Sequence, residues 1–172
     1  LRAFSKGEDV IVHTKNSITS LKTYKPFLRN INNWTTKLND GDEVEWIFDV
    51  VDNLFVFTKS GDLYCIDGAG GNIVNTNQLG IYTIENAVYH HDETSKSFII
   101  YADGFLISLD PYNGRTMWKI RELFNIEYWW WAYNNIYLLE NKLIVIKNAG
   151  QADQIIIKAY SRSTGELLWT SN

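Results

Sequence analysis

Three landmarks recur at one spacing in this chain of 172 residues. Gly61 and Gly104, Asp67 and Asp110, and Gly71 and Gly114 are each separated by 43 positions without a gap. A period of that length means that one supersecondary unit is repeated, because a single active-site motif has no reason to recur. The best copy reads Asp103-Gly104-Phe105-Leu106-Ile107-Ser108-Leu109, then Asp110-Pro111-Tyr112-Asn113-Gly114, then Arg115-Thr116-Met117-Trp118. A glycine turn leads into an apolar strand, a second turn follows, and a last strand carries an aromatic four residues after the glycine.

The later unit repeats the ending. Gly114 to Gly165 and Trp118 to Trp169 are both 51 apart, and the extra length falls mainly in a hairpin around residues 148–153. In the first unit Asn30 precedes Trp34 by the same four residues, and asparagine is the best substitute for glycine where the backbone must be left-handed. Asn30, Gly71, Gly114 and Gly165 therefore form one structural position. Trp34, Asn75, Trp118 and Trp169 form its partner, with only the second unit departing from tryptophan.

Short runs of Val, Ile, Phe, Tyr, Trp and Thr between Gly, Asn, Asp and Ser clusters read as strands throughout. The expected architecture is all-β, a propeller-like array of about four four-stranded antiparallel blades in one domain over residues 1–172. The units cover approximately 1–38, 43–78, 84–121 and 128–171. Four units suggest part of a larger propeller. Open blade edges would then favour pairing with other chains or with the rest of a longer one.

The pattern of Asp-Gly, Leu-Ile-Ser-Leu-Asp, a turn ending in Asn-Gly, and Met-Trp resembles the pyrroloquinoline-quinone-type repeat, also called the tryptophan-docking repeat. The resemblance implies that the turn glycine and the tryptophan are structural, the indole packing across the boundary between neighbouring sheets. It also implies a propeller that hosts either enzymes or binding scaffolds, in an extracytoplasmic compartment. Quinone-dependent dehydrogenases with this repeat need a catalytic aspartate, a calcium site and a stacking tryptophan. Many also use a disulfide of adjacent cysteines, whereas this chain has Cys65 alone.

A net charge of -4, with 20 acidic and 16 basic residues and no long run of either sign, does not favour nucleic-acid binding. No apolar stretch reaches the length of a bilayer-spanning helix. Residues 67–72 look like a phosphate-cradling glycine loop but lack a lysine and a following helix, so they read as a turn. Asn33-Trp34-Thr35 is a formal glycosylation sequon over a docking tryptophan. Asp40, Asp42, Glu43 and Glu45 read as a solvated connection between blades.

Two clusters stand out as candidate partner-binding surfaces. Tyr128, Trp129, Trp130 and Trp131 would place aromatics on both faces of a strand, either as a buried first strand or as an exposed platform. His90 and His91 are followed by Asp92 and Glu93, but adjacent histidines on a strand point to opposite faces, so a solvated loop is preferred over a metal site. No catalytic, cofactor-binding or metal-ligating set is expected, and the anticipated role is a non-enzymatic scaffold for a protein partner. The alternatives are a fragment of a quinone-dependent dehydrogenase and a carbohydrate-binding propeller.

Overall fold

A computed structural model describes residues 2–6, 9–24, 29–82, 97–122, 136–148 and 155–171. Every regular element among them is a strand, and the strands form four antiparallel sheets, the arrangement of a partial propeller. The first sheet holds β1 (Arg2–Lys6), β2 (Asp9–His13), β3 (Ser17–Tyr24) and β4 (Arg29–Lys37). The second holds β5 (Val44–Val50), β6 (Asn53–Thr58), β7 (Asp62–Asp67) and β8 (Ile73–Gln78). Among the described residues the third sheet has β9 (Phe98–Ala102), β10 (Phe105–Leu109) and β11 (Thr116–Arg121). The fourth consists of β12 (Ile136–Leu138), β13 (Lys142–Asn148), β14 (Ile155–Ser161) and β15 (Leu167–Ser171).

Each sheet is a meander, because short hairpins leave consecutive strands no neighbour but one another. The chain divides into two compact units. The first comprises Leu1–Tyr82 together with the turn Pro111–Gly114, and the second comprises Thr83–Asp110 and Arg115–Asn172.

The core of the first unit packs Ile11, Ile18 and Trp34 of the first sheet against Leu54, Val56, Tyr64 and Ile66 of the second. In the second unit Ile99, Leu106 and Trp118 meet Ile136, Leu143, Val145 and Tyr160. β6 and β9 are buried at every residue, on both faces. That pattern belongs to sheets covered on two sides, and it explains why strict polar alternation is missing from their sequences.

The aromatic run at 128–133 lies outside the described residues, and β12 is the strand that pairs with β13. The structure differs from the sequence reading at two places. Asn30 is not in a turn: β3 and β4 stay paired to Tyr24↔Arg29, so Asn30 lies inside β4 opposite Thr23. The second difference concerns Asp42, which is buried and hydrogen-bonded, not part of a solvated connection. A main-chain reason brings it inward: Val44 donates its N–H to Lys15 O and Lys59 to Glu43 O, tying the connection to the ends of both sheets.

One hairpin is built against propensity. Val51, in the β5–β6 turn, has φ +55, a left-handed conformation that a β-branched side chain disfavours by about 1–2 kcal/mol. The β9–β10 turn uses Asp103 and Gly104 in that region instead. Replacing Val51→Asn should raise stability by about 1 kcal/mol, read as an increased denaturation midpoint at unchanged slope.

Candidate functional site

The repeat builds the same local structure in successive sheets, and this structure is the best-defined site in the chain. A row of directly paired residues crosses each sheet. The rows are Phe4, Ile11, Ser20, Trp34; Phe48, Phe55, Cys65, Asn75; Ile99, Ser108, Trp118; and Tyr137, Ile144, Ala159, Trp169. The residue beside the docking position is always small, and Ser20, Cys65, Ser108 and Ala159 are all within 1% of full burial. A β-bulge follows each of them at once, between Ser20/Leu21, Cys65/Ile66, Ser108/Leu109 and Ala159/Tyr160. The bulge increases local twist and re-aims the last strand.

The turn after the bulge is also shared. Asp67, Asp110 and Ser161 each donate an N–H to the carbonyl five residues on, and Gly71 and Gly165 donate back to Asp67 and Ser161 at 2.8 Å. Gly71, Gly114 and Gly165 have φ of +72, +69 and +75. Only glycine adopts that conformation cheaply. The absence of a side chain has a second use, since a Cβ at Gly71 would lie 2.5 Å from the Trp34 ring and one at Gly165 would lie 2.9 Å from the Trp118 ring.

Each buried indole is fixed by a hydrogen bond as well as by stacking. Trp34 Nε1 donates to Gly68 O at 3.1 Å and Trp118 Nε1 to Arg162 O at 2.7 Å. Both acceptors stand three residues before the turn glycine, so the lock is the same twice. Thr36 Oγ1 adds a bond to Gly71 O.

The second sheet replaces the indole with amides. A Cβ on Gly114 would meet Cys65 Cβ at 3.0 Å, so the turn Pro111–Gly114 lies directly over the small residue. Asn77 Nδ2 donates to Gly114 O at 3.3 Å, and Asn53 Nδ2 to Tyr112 O at 3.0 Å and Pro111 O at 3.3 Å. Asn75, the residue in register with the tryptophans, is half-buried. Trp169 is 42% exposed, against 9% for Trp34 and 7% for Trp118.

Two buried carboxylates brace the same boundaries. Asp42 accepts hydrogen bonds from Tyr64 Oη and Ser60 Oγ, and Glu122 accepts one from Tyr160 Oη and a salt bridge from Lys158 at 3.1 Å. Burial first, and the acidic partner second, push Tyr64 up to about 12 and raise Tyr160 as well. Sequence reasoning missed both braces, because Asp42 follows Trp34 by eight residues and Glu122 follows Trp118 by four, so no common spacing announces them. At the surface Lys59 holds Glu43 below its ordinary pKa through a 2.9 Å bond.

Two open grooves accompany these features. One of about 480 Å³ in the second unit is lined by Ser97, Met117, Asn141, Lys142, Arg162 and Leu168. One of about 430 Å³ in the first unit is bordered by His13, Lys15, Glu43, Glu45 and Lys59. Among the described residues no group of three His, Cys, Asp or Glu is arranged to hold a metal, and no helix is long and apolar enough to cross a membrane. Tyr128, Trp129, Trp130, Trp131, His90 and His91 lie outside the described residues.

Comparison with known proteins places the fold. No family model matches the sequence, and no curated protein matches it. Solved structures do match across nearly the whole chain. BamB from Moraxella catarrhalis aligns with a TM-score of 0.63 at 15% identity, covering 99% of this chain and 48% of that one. A europium-containing methanol dehydrogenase aligns at 0.56 with 12% identity, covering 99% and 41%. BBS1N, solved in complex with ARL6DN, gives 0.55 at 20% identity, covering 95% and 49%. The chain thus spans about half the length of the structures it matches. What they share with it is the propeller fold.

Two sets of measurements follow. Trp34→Ala and Trp118→Ala should each cost about 3–5 kcal/mol in denaturant unfolding, as loss of a buried indole does, while Trp169→Ala should cost under about 1 kcal/mol. Comparable losses at all three would refute the difference in docking. Between pH 10 and about 12 the unfolded chain releases a Tyr64 proton that the folded chain retains, so stability falls as pH rises through that window. Tyr64→Phe should flatten that part of the stability profile.

Proposed function

We propose that the chain is a non-enzymatic protein-interaction scaffold built from quinoprotein-like propeller repeats, serving membrane-protein assembly or sensing on the envelope or luminal side. The supporting observation is how the chain uses its buried acids and its exposed aromatics. Asp42 and Glu122, the buried carboxylates among the described residues, are engaged by tyrosines across the sheet boundaries. An acid committed in this way braces the frame and does not face a substrate.

Large apolar side chains meanwhile stand in solvent at turns and edges. Trp46 is 41% exposed, Tyr112 53% and Leu139 54%. Aromatic residues dominate the energetics of protein interfaces, and turns on a rigid frame are where binding residues concentrate. BBS1N was solved bound to a protein, ARL6DN, which agrees with such use of this fold.

The europium-containing methanol dehydrogenase keeps a second reading open, in which the chain is part of a quinone-dependent enzyme. Photo-crosslinking residues placed at Trp46 and Tyr112 distinguish the two. Saturable capture of one protein species from both positions is the outcome expected of a scaffold. Absence of capture, combined with a melting temperature that rises by more than about 3 °C with calcium and pyrroloquinoline quinone, would overturn it.

A further inference from the structure

The bulge in the last strand of each sheet leaves one residue out of the ladder. The residues skipped are Asn33, Val74, Met117 and Leu168. The three apolar ones are 47%, 49% and 48% exposed, so exposure at this position belongs to the bulge, which re-aims the side chain it frees. In the second unit Met117 and Leu168 line one groove of about 480 Å³. That volume lies in the range of sites that enclose small ligands.

The rest of the groove is charged, and the fold does not need the charge. Glu140, Asn141 and Lys142 of the turn between β12 and β13 line it together with Arg162. Arg162 is 4% exposed, and its guanidinium donates to Leu139 O at 3.0 Å and to Glu140 O at 3.5 Å. Its main-chain N–H donates to Asn141 O at 3.2 Å. The second sheet builds the same backbone with Gly68, whose N–H donates to Asp52 O at 2.9 Å and whose carbonyl takes the Trp34 indole as Arg162 O takes that of Trp118. A glycine therefore suffices for the lock. At the four matching positions the second sheet has Val51, Asp52, Asn53 and Gly68, one carboxylate and no cation, whereas the fourth has two cations against one carboxylate. In a chain of net charge -4 this is a local reversal of sign.

We propose that this groove binds a short extended peptide segment in which one aspartate or glutamate stands next to a large apolar side chain. Lys142, exposed beside the groove, pairs with the carboxylate. Asn141 and Ser163 offer an amide and a hydroxyl to the main chain of the segment. Met117 and Leu168 receive the apolar side chain, the flexible thioether adapting to its shape. Arg162 holds the turn that carries Lys142, and Glu140 in that turn repels a second acid, so the recognised pattern has a single carboxylate. The inference deepens the scaffold reading and rests on it, since it names the class of partner.

The test is a selection from a random heptapeptide display library on the immobilised 172-residue chain, followed by titration of the enriched peptides in fluorescence anisotropy. Enriched peptides should share one acidic residue beside Leu, Ile, Phe or Met and bind saturably. Changing that acid to its amide, or Lys142→Glu in the chain, should weaken binding about tenfold or more, and Met117→Ser about threefold. Lys142 and Met117 are exposed, so both variants should melt with the parent chain. No enrichment, enrichment of peptides without an acid, or equal affinity for the chain and its Lys142→Glu variant would overturn the proposal. Displacement of the peptide by acetate or inorganic phosphate at its own binding concentration would also overturn it, assigning the groove to a small anion. Trp46 and Tyr112 do not line this groove, so a failed selection beside capture at those positions removes the groove alone. Absence of that capture with stabilisation by calcium and quinone removes the scaffold reading itself.

Discussion

Two of the sheet boundaries in this fold depend on a glycine lying against an indole. The contact is possible only because three conditions meet: a left-handed backbone at the glycine, no Cβ to strike the ring, and a carbonyl placed to take the ring N–H. Each condition is local, but the two partners come from different sheets, so the lock turns a turn geometry into a tertiary constraint. Burial of the indole then contributes stability on the scale of a whole core residue. A neutral donor inside the stack would be costly without its acceptor, which explains why position and hydrogen bond recur together at Gly68 and Arg162.

The lock also dictates what lies beneath it. A bulky side chain next to the tryptophan in the row would lift the indole off the sheet, and the chain places Ser20, Cys65, Ser108 and Ala159 there. The lone cysteine belongs to this series. It is buried as a small residue under a turn, and its equivalents in the other rows are serine or alanine. At that boundary the chain has exchanged an indole for the amides of Asn53 and Asn77, substituting directional bonds to Pro111, Tyr112 and Gly114 for buried area.

Much of the architecture was legible because the lock needs residue types that nothing else can replace. Gly71, Gly114 and Gly165 are irreplaceable on both backbone and steric grounds, so their spacing exposes the repeat. Asn30 misleads for the same reason: its distance from Trp34 matches the pattern, but β3 and β4 extend past the bulge and no turn is needed there. The small residues were hidden, since serine, cysteine and alanine share a size and not a chemistry. Asp42 and Glu122 were hidden as well. Each reaches its tyrosine from a connection of different length, and an acid beside a loop looks solvated until the fold closes over it.

The turn Pro111–Gly114 gives the first unit an unusual boundary. It belongs with Leu1–Tyr82, yet it is encoded nearly 30 residues later, between two strands of another sheet. A gene trimmed at Tyr82 would therefore express both sheets of the first unit without the segment that roofs Cys65 and accepts from Asn53 and Asn77. The smallest heritable piece of this fold is longer than the smallest compact one. Recombination between repeats has to respect that overlap, and blades of this kind can be duplicated or lost cleanly only when the cut moves each turn together with the sheet it covers.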